Sequence, residues 1–262
     1  MKNILRVMFR WAVAGLLVFT TSTSFAQKEK MTLSFMERWP PYAGAFLKND
    51  GVYLDLVRTV FEYAGYDVEL VYAPHARTVE NVKRLKWDVQ AGLWEVPFFK
   101  DDFDFFANGN VDKITLMVLK ESKIKSGNFE DLKGLTVGLV RGGGYPQNFL
   151  TSELFKRYPL TTQRQCLEML AKKRLDAIIV NSLVAQWIID HEVPKLKDKT
   201  RLLEPLVGYN LLSPAISKKH PKKDEMISRY NKAFKELREQ GLYEKLFKVH
   251  GVKLQNIEDL EK

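Results

Sequence analysis

DVELVYAPHARTVENVKRLKWDVQAGLW, residues 67–94, is the stretch that decides the fold class. Asp67–Ala73 is short, apolar and rich in β-branched and aromatic residues, which predicts a strand. Thr78–Lys86 carries helical spacing, and Val89–Trp94 is a second apolar run of strand length. Two strands separated by one helix pair in parallel. Upstream, the unit is preceded by another of the same kind. Met31–Met36 reads as a strand, a Pro-Pro turn follows, and Val52–Ala64 places Leu56, Val57, Val60, Phe61 and Ala64 on one helical face. Downstream, Asp104–Ala107 and Ile114–Leu119 are strand candidates. The pattern then restarts. Leu135–Val140 reads as strand, Gln147–Lys156 and Arg164–Arg174 as helices, and Asp176–Val180 as strand. Ser182 is placed to N-cap a helix carrying Leu183, Val184, Trp187 and Ile188. Arg201–Val207 and Leu211–Ser217 are strand-like, and Asp224–Gln240 is a long helix stopped by Gly241. No low-complexity tether separates the two α/β units, so extended strands are expected to join them.

The first 26 residues stand apart. Lys2, Arg6 and Arg10 precede the apolar run Trp11–Phe19, and the small-residue site Ser24-Phe25-Ala26 closes the segment. That order predicts a secretory signal peptide cleaved after Ala26. The apolar run is shorter than the roughly 20 residues that cross a bilayer. Cleavage would leave 236 of 262 residues, enough for two modest lobes, and would lower the formal charge from +9 to +6 because three basic residues are removed. Lys and Arg alternate with Asp and Glu throughout, so the surplus reads as a solvated surface, with no nucleic-acid partner expected. A single cysteine, Cys166, excludes an internal disulfide and lies on an apolar helical stripe.

Several segments, in order and spacing, resemble the bacterial extracellular solute-binding proteins of family 3, the receptors of polar amino-acid importers. They are Trp39-Pro40-Pro41-Tyr42, Gly51-Val52-Tyr53-Leu54-Asp55-Leu56, Asp88-Val89-Gln90-Ala91-Gly92-Leu93 and Pro97–Phe105. Asp131-Leu132-Lys133-Gly134-Leu135-Thr136-Val137-Gly138, Leu175-Asp176-Ala177-Ile178 and the tail Ala233–Tyr243 complete the set. The resemblance implies an α/β, two-lobed type 2 periplasmic binding protein. Each lobe is then a mostly parallel sheet flanked by helices. Lobe 1 is discontinuous, 27–112 and 208–262; lobe 2 is 113–207. Hinge strands cross near Asp112–Thr115 and Leu206–Tyr209. It further implies a monomeric periplasmic receptor that hands a small solute to the membrane subunits of an ABC importer, or presents it to a membrane sensor. Some relatives on the same fold are cyclohexadienyl dehydratases, the enzymatic alternative.

Two departures qualify the resemblance. Amino-acid receptors of the family carry an arginine two residues after the proline of this segment, where it forks onto the ligand carboxylate. Here Phe99 follows Pro97 at that spacing. The family acid that holds the α-ammonium falls at Asn181. An ordinary α-amino acid loses both ionic anchors.

Ligands of open α/β sheets sit at the carboxyl ends of parallel strands, so the loops there supply the candidates. Tyr42, held by the stiff Pro-Pro turn, is expected as an aromatic wall; Trp39 and Glu37 fit a site and a surface equally. Arg77, in Pro74-His75-Ala76-Arg77, suits bidentate binding of a carboxylate, and Trp94 narrows the pocket. In the second unit, Arg141, Gly143 and Tyr145 of Arg141-Gly142-Gly143-Gly144-Tyr145-Pro146 form a glycine-rich entry to a helix, with Asn181 beside them. The expected solute is small, polar and carboxylate-bearing. His75, His191, His220 and His250 lack metal-ligand spacing, no nucleophile arrangement appears, and neither cofactor nor catalytic residue is expected.

Overall fold

The computed structural model describes residues 28–107 and 110–252; the segment read from the sequence as a signal peptide lies outside them. The first half of the chain builds β1 (Glu29–Met36), α1 (Val52–Tyr63), β2 (Tyr66–Ala73), α2 (His75–Lys83), β3 (Val89–Trp94), α3 (Pro97–Lys100) and β4 (Phe103–Phe105). β1 pairs in parallel with β2 from Glu29↔Tyr66 to Met36↔Ala73, and with β3 through Leu33↔Val89. The α1 face read from the sequence is buried as Leu56, Val57, Val60 and Phe61. Its free N-terminal amides are satisfied from outside the helix: Val52 N donates to Pro41 O, and Tyr53 N and Leu54 N donate to Tyr42 O.

The long strand β5 (Asn110–Leu119) then carries the chain into a second parallel set. It contains β6 (Thr136–Val140), α4 (Gln147–Thr151), β7 (Lys156–Leu160), α5 (Gln163–Ala171), β8 (Ala177–Asn181), α6 (Ser182–His191) and the short β9 (Thr200–Leu202). β6 pairs in parallel with β7 and β8. β10 (Gly208–Ser217) returns to the first set, and α7 (Lys223–Glu239) and α8 (Leu242–Val249) pack against α1. The two crossings are antiparallel partners, with Gly208↔Ile114, Asn210↔Asp112 and Leu212↔Asn110 in register. Hydrogen bonding therefore follows one path, β2-β1-β3-β10-β5-β8-β6-β7, with β4 on β10 and β9 on β5. The two lobes are joined by the expected pair of crossing strands: β10 pairs with β3 and β4 of the first set, β5 with β8 and β9 of the second, and β5 and β10 with each other.

Three local readings are corrected. The helix read over Gln147–Lys156 stops at Thr151, and Lys156 instead opens the strand β7; it is an exposed edge, and Pro159 suits an edge strand that needs no donor on its outer side. The N-cap of α6 is Asn181, one residue before Ser182, and its side chain accepts from Leu183 N and Val184 N. Arg201–Val207 shortens to the three residues of β9. Apolar packing is continuous from Phe35, Val57 and Phe247 to Leu167, Val184 and Ile188, so the two halves are in contact. Cys166 is buried in that core, and burial pushes its thiol up to about 12, which leaves it unreactive. Among the described residues no helix is long and apolar enough to cross a membrane.

Candidate functional site

The carboxyl ends of β1 and β3 meet the crossing strands at one buried point. After β1 the chain turns through Trp39–Ala43, whose backbones exchange two hydrogen bonds of 2.9 Å. Gly51 backs this turn with φ +103, and a Cβ there would lie 2.5 Å from Tyr42 O, so only glycine allows α1 to start so close. The turn sends Tyr42 inward, where it is fully buried. Its hydroxyl donates to Asp112 Oδ1 at 2.6 Å. Trp94, the last residue of β3, donates from Nε1 to Asp112 Oδ2 at 2.5 Å, and Asn110 Nδ2 donates to Oδ1 at 3.2 Å. Trp39 completes an aromatic wall, with ring centroids 4.8 Å from Tyr42, 6.1 Å from Trp94 and 6.0 Å from Phe35.

Asp112 is fully buried at the centre of this wall. Burial pushes its carboxyl up, and the hydrogen bonds from Tyr42, Trp94 and Asn110 pull it partly back, leaving it at about 6. Burial, reinforced by the Asp112 charge, also drives the Tyr42 hydroxyl well above the usual phenol range, so it stays a donor. Two buried polar atoms at this point have no partner: Asn110 Oδ1 and Asn181 Nδ2.

The second half closes over the wall. Gly144 approaches Trp94 so closely that a Cβ would lie 2.9 Å from the indole, and Asn210 Nδ2 donates to Gly144 O at 3.1 Å. At the rim, Arg38 pairs with Glu192 and stacks over Phe46, 4.4 Å from its centroid, while Phe46 meets Trp187 at 6.0 Å.

Of the residues singled out from the sequence, Trp39, Tyr42, Trp94 and Asn181 come together here. Glu37, Arg77 and Arg141 are exposed on its surroundings. Tyr145 turns into the core of the second half, where its hydroxyl accepts from Val140 N at 3.0 Å. In the glycine segment the amides of Gly143 and Tyr145 are spent on Val140 O and Gly143 O, and α4 is only five residues long. Gly143 and Gly144 allow close approach to Tyr145 and Trp94. Phe99 is packed with Val82, Leu93 and Phe103, which explains why no polar residue stands there. Sequence reasoning missed Asp112 and Asn110. The available signal was Asn110 and Asp112 two residues apart, hence on one face, at the start of a strand that ends in the apolar run Leu116–Leu119.

The family model of bacterial extracellular solute-binding proteins, family 3, matches residues 31–252. The chain belongs to this family. Among curated family-3-like relatives, it is 24% identical over 238 residues to the arginine-binding extracellular protein ArtP of Bacillus subtilis (strain 168), covering 87% of this chain and 89% of ArtP. Two solved structures share the fold. One is a histidine kinase sensor domain with similarity to periplasmic binding proteins, at TM-score 0.73 and 20% identity, covering 84% of this chain and 95% of that one. The other is the ancestral amino-acid-binding protein AncCDT-1, a precursor of cyclohexadienyl dehydratase, at TM-score 0.68 and 21% identity, covering 84% and 93%. Family 3 proteins are extracellular solute-binding proteins, and the curated relative is a binding protein.

Proposed function

We propose that this family 3 protein is a periplasmic receptor that captures one small polar solute between two lobes and delivers it to an ABC importer. The lobes are residues 27–112 with 208–262, and 113–207, and the mature chain begins after Ala26. The observation that carries this reading is the convergence of Tyr42, Trp94, Asp112 and Asn181 from four separate elements on one point between the two halves of the sheet. Residues from both sides of the crossing strands can grip a guest only when the halves come together, so binding free energy is coupled to closure. The arginine-binding relative supports a nitrogen-bearing solute of amino-acid size. Rims that meet through Arg38–Glu192 and Phe46–Trp187 give the closed form contacts of its own. Delivery to the importer would then be read from the closed shape. No catalytic step is required by this arrangement.

A thermal-shift panel of amino acids, amines and small carboxylates on residues 27–262 tests the reading. At least one solute should raise Tm saturably, and Trp94→Ala should remove that shift while leaving a cooperative transition. A flat response to the whole panel contradicts it.

A further inference from the structure

We propose that the solute is a small organic cation without a carboxylate, an amine or guanidine whose charge is met by Asp112 and whose N–H is accepted by Asn110 Oδ1. This rests on the meeting point of the two halves being the solute site and names the class of solute it takes.

The buried carboxylate has an unmet requirement. Its partners Tyr42, Trp94 and Asn110 are all neutral donors. Among the described residues the ion pairs join other groups, such as Arg38–Glu192, Arg58–Asp55, Lys83–Asp102 and His250–Asp55. None reaches Asp112. A charge removed from water and left without a counter-charge is costly, and a cation brought by a ligand offsets that cost where no protein side chain does. The value of about 6 for this carboxyl, set chiefly by burial, reflects the same deficit.

The orphan atoms define the rest of the guest. Asn110 spends its amide nitrogen on Asp112 and, at 3.4 Å, on the Tyr42 hydroxyl, leaving Oδ1 as a bare acceptor beside the carboxylate. A donor belongs there. Asn181 commits Oδ1 to the N-terminus of α6, so its orientation is fixed and Nδ2 is left as a donor, which a neutral hydroxyl, carbonyl or imine nitrogen satisfies. Trp39 and Trp94, which are only partly buried, add the electron-rich surface that a cation prefers. A ligand carboxylate finds the opposite environment. Arg77 and Arg141 are exposed, and the charge at the centre is negative. An amino acid would bring its carboxylate towards Asp112 with no buried cation between them.

Isothermal titration calorimetry with agmatine and arginine separates the possibilities, because the two differ by one carboxylate. Agmatine or a comparable diamine such as putrescine should bind at least tenfold more tightly than arginine at pH 7.5. Its affinity should fall about tenfold per pH unit below 6, as Asp112 takes up a proton. The other titratable groups facing Asp112 are the phenols of Tyr42, Tyr53 and Tyr243, which remain protonated across that window. Asp112→Asn is isosteric but keeps only one acceptor oxygen, enough for Tyr42 or for Trp94 but not for both, and should weaken agmatine binding at least a hundredfold and abolish its pH dependence. Should that variant not fold, the wild-type comparison and pH profile still decide. Arginine or a small carboxylate binding while agmatine and putrescine do not would overturn the cation, and leave the receptor reading standing. Silence from every solute in the panel would overturn both.

Discussion

Asp112 is a fully buried carboxylate at the centre of the proposed site, and burial chiefly sets its protonation. Its folded carboxyl, at about 6, lies above the roughly 3.9 of an unfolded chain, so the folded state holds the proton more tightly. The stability this contributes is full below the unfolded value and is lost as pH rises through about 6. The difference amounts to roughly 3 kcal/mol. Asp112→Asn should therefore raise the stability of the ligand-free chain at pH 7.5 by about 2 kcal/mol and change it little at pH 4, measured by urea melts. Equal effects at both pH values would refute the assignment. Tyr42→Phe should cost about 2 kcal/mol at pH 7.5, because it removes a hydrogen bond to a buried charge. The aromatic residues Trp39, Tyr42 and Trp94 were legible in the sequence because they lie at the carboxyl end of a strand or in the turn after one. Asp112 was not. It lies inside a strand read only as a hinge, and its inward direction depends on the β5–β10 register, which local pattern does not encode. Arg77 and Arg141, marked by type and position, are both exposed.

At the level of elements, the register of β5 against β10 determines what meets at the site. Asn210 faces Asp112 across the ladder, and one residue of slip would send Asp112 to the opposite face. The turn before α1 has a comparable role. Gly51→Ala would bring a Cβ against Tyr42 O at a positive φ. We expect a loss of about 2 kcal/mol together with weakened solute binding, since the displaced turn carries Tyr42. Unchanged melting would show that the turn relaxes freely. Most strands and helices were readable from period and length, including the α1 face and β3. The edge strand β7 was not, because Lys156, Arg157, Tyr158 and Pro159 are exposed and carry no apolar alternation. The short helix α8, which follows the stop at Gly241, was also missed.

On the scale of the whole molecule, two parallel sets of strands share a pair of crossing strands and meet at a rim of few contacts. Arg38–Glu192 and Phe46–Trp187 span that rim, and Gly144 sits on Trp94 below it. Exposed contacts of this kind are each worth a fraction of a kcal/mol to about one. The double variant Arg38→Ala, Phe46→Ala should thus weaken solute binding about three- to thirtyfold through the opening equilibrium alone, without altering which solutes bind. A changed selectivity would place the rim inside the site. Family membership and the two-set α/β architecture were legible from ordered short segments spread along the chain; the sign of the charge at its centre required three-dimensional register. The receptor reading is tested most directly by native mass spectrometry of the mature chain incubated with agmatine, putrescine, arginine and small carboxylates. A one-to-one adduct that is lost when the chain unfolds is the expected spectrum. A bare polypeptide mass under every condition would contradict capture of a small solute.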